Sequence, residues 1–185
     1  MTLKRTSALE WAAIGVVSLL IAAGAIAILS GYFAGQDTAG VTGSSSGPGI
    51  AVRDMGNAHL RPGQPVPHYA TNPPTSGPHV PVAVRRNRAA LSNNQLLTAL
   101  ELGDVVLIYG SPSPPPGLGR LAKSVAGPFT PALASTGQAV ILARRPGVTG
   151  VLGLAWARII HVLRPSDGSL RQFAQYWLGR GASGR

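Results

Sequence analysis

No charged residue occurs between Trp11 and Phe33, a run of 23 residues reading WAAIGVVSLLIAAGAIAILSGYF. At about 1.5 Å of rise per residue, such a run reaches about 34 Å as a helix, enough for a hydrocarbon core of about 30 Å. Lipid offers backbone N–H and C=O groups no water, so a helix is the one single-segment answer. Trp11 at one end and Tyr32 with Phe33 at the other fall at interface depth. A cleaved signal has an apolar stretch of about 7–15 residues and a small-residue cleavage site. This run is longer and closes on bulky rings, so a retained transmembrane helix is expected over residues 11–33. Lys4 and Arg5 outweigh Glu10 ahead of it, and the next basic residue is the distant Arg53. The charge rule then leaves residues 1–10 in the cytoplasm and the C-terminal domain outside, as a single-pass protein of the cytoplasmic membrane.

The chain has no cysteine. Whatever folds beyond the anchor therefore has no disulfide, no thiolate ligand and no redox thiol pair, and must rely on burial. The net charge of +10 reflects scarce acids, since charged residues make up only 12% of the chain. The basic residues are mostly Arg and are scattered, apart from Arg85, Arg86 and Arg88 and the pair Arg144–Arg145. They read as solvated surface, or as a face for anionic lipid headgroups or an acidic partner subunit. No row of stacking aromatics accompanies them and no nucleic-acid module is recognisable, so nucleic acid is not an expected partner.

Residues 34–49 (AGQDTAGVTGSSSGPG) have linker composition. Residues 50–180 are then expected to form one small mixed α/β domain, with 181–185 as a tail. Seven prolines fall within 61–81, which rules out a helix or central strand and predicts an ordered extended loop laid on the domain. Beyond it, NNQLLTALEL at 93–102 reads as a helix capped by Asn93 and stopped by Gly103. VVLIY at 105–109 and AVILA at 139–143 read as buried strands, and LGRLAKSVA as a short helix. Val151–Leu163 reads as one long strand or a bent pair, and 168–178 as an amphipathic helix. The expected core includes Val105, Val106, Ile108, Ile141, Leu154, Trp156, Ile159 and Trp177.

Candidate chemistry is sparse. Of the four histidines, His161 lies in an apolar strand and reads as a packing residue with a local hydrogen bond, and His68 as a loop residue. His59 and His79 flank the proline loop and are the two that stand out as metal ligands. Ser76 and Ser111 lie in no nucleophile elbow. Ser76 is expected to bond backbone inside PPTSGPH, with Gly77 taking a φ other residues resist. Glu101 and Asp104 are three apart and could act as an acid–base pair, but read as a solvated helix end.

The run Tyr69, Asn72, Pro73, Pro74, Ser76, Gly77, Pro78 and His79, preceded by Gly56, His59, Pro62 and Gly63, resembles the DUF3105 family, a bacterial domain of unknown function that is often membrane-tethered. The resemblance extends over most of 56–180 and includes the closing LAWARIIHVLRPSDGSLRQFAQYWLGRG. The family pattern continues with His-x-Leu-Glu-His-Gly before a Val-rich strand. It therefore implies four imidazoles able to converge on a transition metal, two on the proline side and two at i,i+4 on the helix. Here Thr98 and Leu102 stand at the two helical positions. With Glu101 turned about 100° from position 102, no third ligand is expected, and no metal or other cofactor.

The sequence thus points to a non-catalytic accessory or structural subunit of a larger membrane complex. Its partners would be membrane lipid and integral membrane subunits, met through the small residues of the anchor and the Arg-rich domain. The alternative is an extracytoplasmic copper- or zinc-binding, or metal-dependent redox, domain with His59 and His79 as ligands.

Overall fold

The computed structural model describes residues 47–66 and 68–182. The transmembrane run 11–33 and nearly all of the 34–49 linker lie outside the described residues. Among those described, no helix is long and apolar enough to cross a membrane.

The expected mixed α/β domain is formed around a five-stranded sheet. Its strands are β1 (Ile50–Ala51), β2 (Val105–Tyr109), β3 (Val140–Arg144), β4 (Val151–Ala155) and β5 (Arg158–Val162), in the spatial order β1-β5-β4-β2-β3. Only β2 and β3 run parallel; the other pairs are antiparallel. A parallel neighbour needs a crossover, and the chain makes it through α2 (Leu118–Ala126) and α3 (Pro131–Ser135). The remaining helices among the described residues are α1 (Asn93–Leu102) and α4 (Gly168–Trp177).

All five residues of β2 are buried, because both of its faces are covered. Val105, Leu107 and Tyr109 pack with Leu118, Leu121, Phe173 and Trp177, beneath α2 and α4. Val106 and Ile108, pointing the other way, pack with Leu96, Leu97, Leu100, Ile141, Leu154 and Trp156, beneath α1. The period-two alternation of a strand thus divides one apolar run between two cores.

Most of the expected core is buried; Ile159 is only half-buried. Val151–Leu163 resolves into the β4–β5 hairpin, turning at Trp156–Ala157 with Ala157 at φ +53°. The cap of α1 is Ser92 rather than Asn93. Its hydroxyl accepts the Gln95 N–H while the Gln95 side chain accepts the Ser92 N–H, a reciprocal capping box. At the other end Gly103 adopts φ +114° and donates to the Ala99 and Leu100 carbonyls, as expected. The short α3, with Thr130 as cap and Pro131 at its first position, was not expected. Gly47–Gly49 belong to the packed domain, since the Trp177 indole N–H donates to Pro48 O at 2.8 Å.

Candidate functional site

The proline-rich segment is an ordered loop whose stretch Pro73–Gly77 is buried. Thr75 O accepts the Ala157 N–H at 3.0 Å, tying the loop to the β4–β5 turn. The Tyr69 hydroxyl donates to Pro78 O at 3.0 Å, and burial raises that phenol above its usual range. Ser76 does not bond within its own turn as expected. Its hydroxyl accepts the Met55 N–H at 3.0 Å and donates to Arg53 O at 3.3 Å, pinning the N-terminal segment 53–55 against the loop. Gly77 takes φ +133°, and a Cβ there would meet the Tyr69 ring at 2.8 Å, which is the conformational demand the glycine answers.

That pinning sets the register of residues 58–60 against the end of the loop. His59 and His79 form an isolated parallel bridge, with Leu60 N–H donating to His79 O at 2.8 Å and His79 N–H to Ala58 O at 3.1 Å. Their rings meet edge to face, with centroids 5.5 Å apart. From the bridge the chain runs along one side of α1. Val80 N–H donates to Asn94 Oδ1 at 3.2 Å and Val82 N–H to Thr98 Oγ1 at 2.9 Å.

Glu101 lies where the two rings point. His59 Nε2 is 3.0 Å from Glu101 Oε2 and His79 Nε2 is 3.3 Å from the same oxygen. Asn57 Nδ2 donates to the other carboxylate oxygen, Oε1, at 3.2 Å. The three ligand atoms all lie within 4.8 Å of one another. This corrects the expectation of a solvated helix end for Glu101 and Asp104: Glu101 is 4% exposed and Asp104 is 1% exposed. It also corrects the angular argument. The angle between positions 101 and 102 was sound, but the bridge sits over the side of α1 that carries residue 101.

His79 is fully buried. Its Nδ1 lies 3.0 Å from Gly77 O, and a carbonyl accepts only, so Nδ1 carries the proton. In the neutral ring Nε2 then presents a lone pair to the Glu101 carboxylate, and it has no hydrogen-bond partner among the described residues. Two acceptors facing each other at 3.3 Å make a place where a cation between them would be favoured. A tetrahedral ion with bonds of about 2.0–2.1 Å has ligand–ligand edges of about 3.3–3.4 Å, close to the two nitrogen–oxygen separations. His59 is half exposed on its side chain, so the cluster is open to solvent on that side.

The remaining sequence candidates sit elsewhere. Thr98 and Leu102 line a cavity with Asp104, and the Thr98 hydroxyl is engaged with Val82 N–H and Asn94 O. His161 is exposed on β5 and bonds Thr149 O at 2.7 Å, which is the local bond expected, though at the surface rather than in the core. His68 is exposed. The Ser111 hydroxyl donates to Ser113 O.

The family model described as "Protein of unknown function (DUF3105)" matches residues 59–183, more than half of the chain. The chain belongs to the DUF3105 family. The match begins at His59 and takes in His79 and Glu101, so every member of the cluster lies inside the family domain. No curated protein and no solved structure matches the chain.

Proposed function

We propose that this protein is a membrane-tethered, extracytoplasmic domain that binds one divalent transition-metal ion, Zn²⁺ or Cu²⁺, through His59, His79 and Glu101. One observation carries the reading: two imidazole Nε2 atoms converge on one carboxylate oxygen at 3.0 and 3.3 Å. Two histidines and a carboxylate suit a borderline ion better than Mg²⁺ or Ca²⁺, which prefer oxygen. The shell around them is equipped for the task. Gly77 O fixes the His79 tautomer and Asn57 donates to the other carboxylate oxygen, Oε1, as outer partners of metal ligands commonly do.

Calorimetric titration of the full-length chain in mild detergent tests this. One equivalent of Zn²⁺ or Cu²⁺ should bind at micromolar affinity or tighter, and the binding should be lost in His59→Ala, a change at a half-exposed side chain. No stoichiometric binding, or binding indifferent to His59, contradicts the reading.

The tether rests on the uncharged run 11–33 with its aromatic ends. Full-length protein should remain with membranes washed in alkaline carbonate. Release of a chain beginning beyond residue 33 would show a cleaved signal instead. The same run supports a second reading, an accessory subunit of a larger membrane complex, because its Gly and Ala residues permit close helix–helix approach. That role is compatible with a bound ion, and co-purification of integral membrane subunits from native membranes tests it.

A further inference from the structure

Between the β1–β5 end of the sheet and the chain that follows α4 lies a cavity of about 590 Å³, the size of a small-molecule site. Trp156, Arg158 and Trp177 line it, together with Asp54 and Glu101. Arg158 is 8% exposed. Its guanidinium sits 5.0 Å over the centre of the Trp177 ring; among the described residues it donates no hydrogen bond and joins no ion pair. Stacking occupies the face of a guanidinium and leaves the N–H donors along its edge unmatched. A cation held this far from water without an anion is costly. Yet it is not sealed in. Among the described residues, the side-chain polar atoms fully buried without a partner belong to Thr71, Thr75, His79 and Asp104. The guanidinium nitrogens of Arg158, equally unpartnered, are not among them and keep accessible surface. The acids of the wall are engaged elsewhere. Asp54 accepts the Trp156 indole N–H at 3.0 Å and the Gly56 N–H at 2.9 Å, and Glu101 meets His59 and His79. Arg180 lines the cavity too, but it is exposed and stacks on Tyr176 at 4.3 Å.

We propose that this cavity binds a small carboxylate with a flat apolar body, whose carboxylate takes the edge of Arg158 while the body lies against the indoles of Trp156 and Trp177. The planar fork of a guanidinium matches a carboxylate through two parallel charge-assisted bonds. A phosphate would match the fork as well, and charge decides between them. Asp54 and Glu101 stand in the same wall, and both work against a second negative charge on the ligand. A singly charged carboxylate is the anion that one buried guanidinium balances. The two indoles select the body, because they offer ring surface to a flat apolar group. The site draws on no bound metal.

The test is calorimetry and NMR on the full-length chain in mild detergent, stripped of metal on a chelating resin, with protein-free micelles as the blank. Benzoate is the probe, benzyl alcohol its uncharged match and phenyl phosphate its doubly charged one. Benzoate should bind at one equivalent and shift the indole N–H signals of Trp156 and Trp177. Benzyl alcohol should bind about tenfold or more weaker, and phenyl phosphate weaker than benzoate. The Arg158→Met variant keeps an unbranched stem against Trp177 and should lower benzoate affinity about tenfold or more, with a folded circular dichroism spectrum. Absence of benzoate binding at millimolar concentration, equal binding of benzyl alcohol, or unmoved indole signals overturns the proposal without recourse to the variant. Tighter binding of phenyl phosphate overturns the choice of a singly charged ligand. Undiminished benzoate binding by a folded Arg158→Met protein overturns the role of Arg158. Because no metal is present, these outcomes are independent of whether His59, His79 and Glu101 hold an ion.

Discussion

His79 Nε2 and Glu101 Oε2 lie 3.3 Å apart, in the interior, with the opposite nitrogen of the ring already committed to Gly77 O. A residue at the end of a proline-rich loop and one in the last turn of a helix are thereby held in register by backbone contacts. Ser76 pins Met55, the 59–79 bridge aligns the rings, and Asn94 and Thr98 fix the strand-like segment 80–82 along α1.

Asn57 reaches the cluster through its hydrogen bond to Glu101 Oε1. Outer partners of metal ligands are worth about 10–100-fold in affinity. Asn57 is exposed, so Asn57→Ala should weaken Zn²⁺ binding by about tenfold and leave the melting temperature of the metal-free protein nearly unchanged. Glu101→Gln removes a ligand and should cost more than Asn57→Ala in the same calorimetric titration.

Gly77→Ala should harm both fold and site. Its φ of +133° is strained for any side chain, and the new Cβ would enter the Tyr69 ring. A destabilisation of about 1–3 kcal/mol is expected by chemical denaturation. Metal affinity should fall with it, because Gly77 O is the partner of His79 Nδ1.

Asp104 gives the protein a pH dependence of definite sign. Burial raises its carboxyl from 3.8 to about 7, against the opposing pull of the Ala139 N–H. The folded state therefore holds this proton more tightly than the unfolded chain. The stabilisation is fully present below about pH 4, falls as the pH rises towards 7, and is level beyond. Its upper bound is about 4 kcal/mol. The difference in unfolding free energy between wild type and Asp104→Asn, measured by denaturant titration from about pH 4 to 8, should move in favour of the variant with rising pH.

The architecture was legible from local patterns. Apolar runs bounded by Gly and Pro located β2 and β3, and Gly103 located the end of α1. The hairpin in 151–163 was ambiguous because its turn is Trp156–Ala157, with no Gly, Pro, Asn or Asp to signal it. Their place on either side of the proline loop singled out His59 and His79, which the fold brings together as a pair. Glu101 was missed for a physical reason. Helical geometry gives the angle between neighbouring positions, but not which side of the helix a loop about 20 residues upstream will cover. The signal that was available is compositional: Glu101 is one of two acids between residues 55 and 166, embedded in an otherwise apolar helix end. A charge in that setting is seldom left without a partner.

The most direct test of the metal centre is a ¹⁵N-resolved histidine side-chain spectrum of the full-length protein, recorded before and after one equivalent of Zn²⁺. The Nε2 resonances of His59 and His79 should move together, with the His79 Nδ1–H retained, while His68 and His161 stay in place. Unmoved His59 and His79 resonances, or changes centred on His68 and His161, would contradict the assignment of this cluster as a metal site.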